Sequence, residues 1–234
     1  MDTLFALARQ VAGDILSQKS KGAASEAAAK MIALAEDVIG QFEHRHGLED
    51  PVACGPGCAY CCHYQVVMTA PEVFLVGRHV RQHFTATKTQ ALFRRIDRYL
   101  ALRDGKDVFE VARVLHDTPC VFLKDDRCAV YPVRPLVCRA WHAMDRDACR
   151  TDFESAVPDP EVEGYTHRHY VYKTVARGLE AAVKEIGCQA GAYGMAGAMK
   201  TYFSHPAPET AWINGEPVFD GGPIAFCALP LEVT

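Results

Sequence analysis

The sequence predicts a mainly α protein, a helical domain with one small β-hairpin and a cysteine-rich core. Three observations carry this expectation. Apolar residues recur three and four apart over the first fifty positions and again from about residue 167 to 186. Only one short stretch, residues 120–131, reads as paired strands. Eight of the ten cysteines fall between positions 54 and 149. At 234 residues, the chain has room for one large domain or a core with a helical extension. Its 49% hydrophobic content supports a packed interior and excludes wholesale disorder.

Residues 1–49 read as N-terminal helices. Leu4, Leu7, Val11, Ile15 and Leu16 share one helical face, and Ile32, Ala35, Val38, Ile39 and Phe42 share another after an alanine-rich start. Gly47 stops the second helix. Residues 51–57 hold two prolines and two glycines and read as loop. Thr69-Ala70-Pro71-Glu72 is a helix start, with Thr69 as cap, Pro71 in the first turn and Glu72 completing a capping box. That helix should run to about residue 84, followed by others over about 88–102 and 107–115. Cys120-Val121-Phe122-Leu123 and Cys128-Ala129-Val130-Tyr131 form the hairpin around Lys124-Asp125-Asp126-Arg127, and Pro132 and Pro135 end it. A last long helix stops at Gly187, and a tail from His205, with five of the thirteen prolines, should wrap the surface. The stretches 1–49, 50–150 and 151–234 are read as parts of a single domain.

Charge and termini narrow the function classes. The formal net charge is −4, so no net positive field exists to hold nucleic acid. No run approaches ~18 apolar residues, so no membrane-spanning helix is expected. Met1-Asp2-Thr3-Leu4 lacks the basic start and apolar run of a secretory signal. The expected compartment is therefore the reducing cytoplasm, where clustered cysteines serve as metal ligands or redox groups more often than as disulfides.

Cys54, Cys58, Cys61 and Cys62 lie within nine residues, and Cys120, Cys128, Cys138 and Cys149 within thirty more. Thiolates are preferred ligands of zinc, cuprous copper and iron–sulfur clusters. The two-residue gap between Cys58 and Cys61 lets one tight turn present two sulfurs to one metal. Gly55, Pro56 and Gly57 supply the turn and N–H groups that can approach the sulfurs. The adjacent Cys61 and Cys62 point apart, so one is a ligand and the other serves a second metal, a cluster iron or a redox role. A hairpin with a four-residue turn leaves Cys120 and Cys128 about three residues, or ~10 Å, apart along the ladder; a three-residue turn or a bulge shortens that to about two residues and puts both on one face. Arg134 and Arg139 flank Cys138, where guanidinium donors would offset the charge of about −2 on a dication with four thiolates. His63 and His142 each sit near a cysteine and could replace a sulfur, although a core or surface role is commoner for such histidines. Cys188 and Cys227 stand outside the groups and read as small apolar residues.

The run Cys54-Gly55-Pro56-Gly57-Cys58-Ala59-Tyr60-Cys61-Cys62, then Cys120 to Leu123, then Cys128-Ala129-Val130-Tyr131-Pro132-Val133-Arg134-Pro135-Leu136-Val137-Cys138-Arg139, resembles the YkgJ-type cysteine-cluster family. That family takes its name from a CxxCxxCC motif and is described as zinc- or iron-chelating. The resemblance spans roughly residues 50–150. Here the first gap holds three residues rather than two, which sets Cys54 apart from Cys58, and Cys149 falls outside the matched motifs. The resemblance implies a metal-binding core on Cys54, Cys58, Cys61, Cys62, Cys120, Cys128 and Cys138, with Tyr131, Arg134 and Arg139 around it.

The leading expectation is a cytoplasmic metal-binding protein whose two cysteine groups meet at one centre. Eight thiols exceed what one tetrahedral zinc can use, which favours an iron–sulfur cluster slightly over zinc. Labels carried by family members imply the alternative of an iron–sulfur oxidoreductase or a flagellin-type protein lysine methylase. The gaps from Cys54 to Cys61 match a radical S-adenosylmethionine loop, but such enzymes build a βα barrel and this chain reads as helical on both sides. Gly191-Ala192-Tyr193-Gly194-Met195-Ala196-Gly197 loosely resembles a cofactor loop and is read as following a helix. A third class is a redox or metal-delivery protein that serves a protein partner. No nucleophile elbow or phosphate-binding loop occurs.

Overall fold

Helices form in this chain wherever apolar positions repeat three and four apart between clear start and stop signals. A computed structural model describes residues 2–47, 52–155 and 162–219. Among the described residues ten α-helices dominate, with two small antiparallel strand pairs, so the mainly α class holds.

The long helices α1 (Asp2–Leu16), α2 (Ala23–His46) and α8 (Thr166–Glu185) pack on one another. Gly47 closes α2 at φ 69°, its N–H bonded to Glu43 O. The closest approach is between α1 and α8. A Cβ at Gly178 would stand 2.6 Å from Ala8 Cβ and 3.0 Å from Phe5 O, so only glycine fits. That contact selects the buried face of α1: Ala8, Ala12 and Leu16 are buried, whereas Leu7, expected inside, is exposed. The expected face otherwise holds, since Leu4, Val11 and Ile15 pack against the core beside Leu16, and the close approach centres the contact on the small residues Ala8 and Ala12.

The helix α3 (Ala70–His83) begins at the expected capping box, and α4 (Ala86–Arg103) and α5 (Val108–Arg113) follow close to their expected spans. The helix α9 (Met195–Ser204) packs on α3 and α4. Phe74 on α3 is fully buried at the centre, its ring 5.4 Å from Trp212 and 5.7 Å from Phe219. Trp212 belongs to α10 (Pro208–Ile213), and Glu209 accepts from the Ser25 N–H at 2.8 Å, tying α10 to the start of α2. Between His205 and residue 219 the tail keeps Pro206, Ala207, Asn214, Gly215, Glu216 and Pro217 at the surface and inserts Pro208, Ala211, Trp212, Ile213, Val218 and Phe219 into the interior, so it does more than wrap the surface. Residues 220–234, with Cys227, lie outside the described residues, as do residues 48–51 at the start of the expected loop.

A strand pair missing from the expectations joins β1 (Val67–Thr69) to β4 (Ala192–Gly194), with Met68 opposite Tyr193. The glycine-rich segment at 191–197 thus enters α9 from a strand, not from a helix. The expected hairpin exists but is shorter: β2 (Leu123–Lys124) and β3 (Arg127–Cys128) enclose a two-residue turn. Asp125 and Asp126 both adopt positive φ, 51° and 55°, the geometry of a tight primed turn. Two further short helices, α6 (Leu136–Ala140) and α7 (Arg146–Ser155), complete the cysteine region.

Candidate metal centre

The first cysteine group is shaped by two tight turns. Cys58 N–H bonds to Gly55 O at 3.0 Å with Gly57 at φ 84°, and Cys62 N–H bonds to Ala59 O at 2.9 Å at the entry to the 3₁₀ turn Tyr60–His63. Successive side chains on such a turn diverge. Cys61 is exposed and Cys62 half-buried, yet the Cys62 thiol lies close enough to be the largest influence on Cys61, so the pair does not point apart as fully as expected.

Backbone bonds then fasten the second group to the first. Cys120 N–H donates to Cys62 O at 2.6 Å. Ala53 N–H donates to Ala143 O at 2.9 Å, and Ala143 N–H returns a bond to Cys54 Sγ at 3.3 Å. Arg103 adds a clamp, donating to His63 O at 3.2 Å and Thr118 Oγ1 at 2.8 Å. The hairpin register sets Cys128 opposite Leu123 and leaves Cys120 outside the ladder. A turn closed by Leu123 N–H to Cys120 O, 2.8 Å, folds it back beside Cys128. Neither the four-residue turn nor the bulge considered from the sequence is what occurs.

Two buried charges hold Cys138 in place. Glu72, 2% exposed, accepts from Thr69 N–H and Leu136 N–H at 2.8 and 2.7 Å, joining the N-termini of α3 and α6. Arg139, 5% exposed, pairs with Glu36 and donates to Arg134 O at 2.9 Å and Pro132 O at 2.8 Å. Its guanidinium is thus occupied in fastening the 131–134 turn to α2. Arg134 is different. It lies 4.4 Å over the ring of exposed Tyr131, and its buried Nε has no partner among the described residues. Its charge faces the thiols of Cys54, Cys61, Cys128 and Cys138 and favours their ionised forms.

All nine described cysteines are free thiols. Burial pushes Cys120 up to about 12 and Cys149 up to about 11, and raises Cys54, Cys128 and Cys138. Cys61 is raised first by its hydrogen bond to Cys62 and then by the crowding of protein around its sulfur, although the residue as a whole is exposed. Neighbouring sulfurs raise one another further. Cys138 feels Cys120, Cys61 and Cys128, while Cys149 feels Cys54, Cys58 and Cys61. The two groups therefore share one neighbourhood, with Cys61 common to both. Among the described residues no three histidine, cysteine or acidic groups converge closely enough to hold one ion, so the sulfurs are gathered but not yet closed on a point. The donor set is nonetheless all sulfur with a cation beside it, the chemistry that suits a soft or borderline metal.

Cys149 lies outside the motifs, yet α7 packs on the 3₁₀ turn and carries its thiol to the first group. Asp145, which caps that helix through Asp147 N–H at 2.7 Å, was the available signal. Met195, with Sδ 3.5 Å from Cys120 Sγ, had none. His63 packs its ring on Phe153 and leans on Ala59 O. His142 is buried with Nε2 3.1 Å from Arg168, and burial beside Arg168 and Arg134 lowers it to about 4. Cys188 is buried against Ile213 O, away from the groups, in the apolar role expected of it.

Residues 53–159 match the CxxCxxCC family, described as a proposed zinc- or iron-chelating domain. The match covers somewhat less than half of the chain. It spans every cysteine of the two groups, Cys149 included. No curated protein and no solved structure matches the chain. No described helix is long and apolar enough to cross a membrane. The match supports a metal-binding cysteine protein, whose thiols are the groups that would hold a zinc or iron centre.

Proposed function

We propose that this protein is a cytoplasmic metal-binding protein, loaded with zinc or an iron–sulfur cluster, whose centre draws on both cysteine groups. The ligands would come from Cys54, Cys58, Cys61, Cys62, Cys120, Cys128, Cys138 and Cys149. The supporting observation is that Cys61 neighbours thiols of both groups, which are joined by the bond from Cys120 N–H to Cys62 O. Bound metal would cross-link short elements that otherwise meet through a few hydrogen bonds and apolar anchors. Its binding must expel the thiol protons that burial retains, so affinity rises with pH. Arg134 offsets the thiolate charge from its perch on Tyr131, and Arg139 holds the Cys138 helix to α2.

Elemental analysis and a visible spectrum of protein purified without oxygen test this reading. Stoichiometric zinc in a colourless protein, or iron and sulfide in a brown one, is the expected result. Chelation should then lower the thermal midpoint and expose the amides of Cys120 and Ala143 to hydrogen exchange while α8 stays protected. A metal-free protein that binds neither ion, with stability indifferent to chelator, would overturn it.

A further inference from the structure

We propose that α4, with the end of α3, is a docking surface for a protein partner that presents an acidic helix. The proposal stands apart from the metal-binding reading and uses none of the cysteines.

Charge is distributed unevenly along this chain. Residues 78–106 hold eight arginines and lysines against two aspartates, a formal net of +6. The whole chain carries −4, so the remaining residues carry −10. Arg78, Arg81, Lys88, Arg94 and Arg98 are exposed, and none of them pairs with an acid among the described residues. Of the two aspartates, Asp97 is already held by Lys200 of α9 at 2.8 Å. Arg103 is engaged by Thr118 and His63 O and takes no part. Exposed Lys21 adjoins the surface from the turn before α2, because a Cβ at Gly22 would stand 3.3 Å from the Arg78 guanidinium.

The stability of α4 does not explain this pattern. The helices α3 and α5 each complete a capping box with a glutamate, Glu72 and Glu110. In α4 the same device is half built: Thr85 accepts from Lys88 N–H at 3.3 Å, but Lys88 stands where a glutamate would reach back. The helix dipole opposes a cation in the first turn, and α4 has no acid there. Arg94 and Arg98, one turn apart, repel each other as well. A helix that forgoes local stability at three basic positions carries those charges for something outside itself.

Shape and charge together select the partner. Thr87, Ala91, Arg94, Arg98 and Ala101 recur three and four apart on one face of α4, so small side chains lie at either end of the arginine pair. A second helix has room to lie along that strip, its carboxylates one turn apart and each met by a planar guanidinium fork. A nucleic acid or an anionic membrane extends far beyond one helix. Its phosphates would come within the Debye length, about 8 Å in physiological salt, of a body that is otherwise acidic. Leu92 and Ile96 are buried and Phe93 packs edge-on against Phe203, so α4 offers no continuous apolar face to lipid. A compact acidic partner touches the basic surface alone and is steered to it by the same field.

The test uses the full-length chain and a fluorescent, alanine-based helical peptide of about 20 residues with glutamates along one face. Binding followed by anisotropy is expected at about 0.05 M salt and should weaken more than about tenfold by about 0.5 M. Arg94→Glu together with Arg98→Glu should weaken it about tenfold or more at low salt. Lys88→Glu should weaken it about threefold while raising the urea midpoint, because Thr85 then gains its capping box. That opposite movement separates lost docking from lost folding. Lys124→Glu, exposed on the hairpin, should change the affinity less than about twofold. Peptide binding that survives the paired Arg94 and Arg98 reversals, or no peptide binding at low salt, overturns the proposal. Tighter binding of a single-stranded oligonucleotide or of phosphatidylserine vesicles through the same arginines also overturns it, and assigns the surface to that polyanion.

Discussion

The α1–α2–α8 packing and the cysteine region hold the chain in place by opposite means. Helices of 15, 24 and 20 residues bury alanine, leucine and isoleucine over long continuous faces in the first. In the cysteine region the hairpin strands have two residues each, α6 five and α7 ten. Position there depends on individual contacts: Glu72 to Leu136, Arg139 to Glu36 and two carbonyls, and single backbone bonds at Cys120 and Ala143. Apolar area protects the helical part redundantly. The cysteine region sends Val121, Phe122, Val130 and Leu136 into the same core but from far shorter elements, so a metal that joins those elements would have the larger consequence there.

The comparison can be broken first at the core both regions share. Phe74→Ala empties the site facing Trp212 and Phe219 and should cost about 3–5 kcal/mol, read from urea unfolding followed by helical ellipticity. Acid should act next, through His142. Its ring is lowered to about 4 in the fold by burial and by Arg168 and Arg134, with Glu43 opposing. The unfolded chain keeps a value near 6.5 and so binds the proton more readily. That contribution is complete above about pH 6.5 and is lost as pH falls through about 4, amounting to about 3 kcal/mol. His142→Gln should flatten this slope in stability measured across that window; an unchanged slope would assign it elsewhere.

A sharper division comes from Arg134→Gln. Its side chain is free to face the thiols, so zinc affinity in a chelator competition should fall about tenfold, with metal-free stability unchanged. The smallest effect is expected at the hairpin. Asp126 adopts φ 55°, a conformation that glycine takes without strain, and Asp126→Gly should raise the urea midpoint by the equivalent of about 0.5 kcal/mol. A decrease would show that the Asp126 carboxylate contributes more than its backbone costs.

Legibility followed the same divide. The α3 start was readable because Thr69, Pro71 and Glu72 are a local signal, complete within four residues. That Glu72 also reaches Leu136, sixty-four residues away, was not. The α1 face was visible in Leu4, Val11, Ile15 and Leu16, but that Ala8 would meet Gly178 on a distant helix, and that Leu7 would stay outside, was not. The two cysteine groups stood out by spacing, whereas Cys149 needed α7 to be brought near Cys58 and Cys61. Arg134 and Arg139 read alike from sequence; one faces thiols and the other is engaged by Glu36.

Local chemistry was enough to establish a mainly helical chain with an unusual concentration of thiols, because helical periodicity, caps and ligand spacing are short-range properties written in neighbouring residues. Which sulfurs face one another, which arginine stays available and which face of a helix is buried are relations between residues far apart in the chain. Those emerged only once the long helices had packed and buried hydrogen bonds had drawn the two cysteine groups together, since only then do distant side chains compete for the same space.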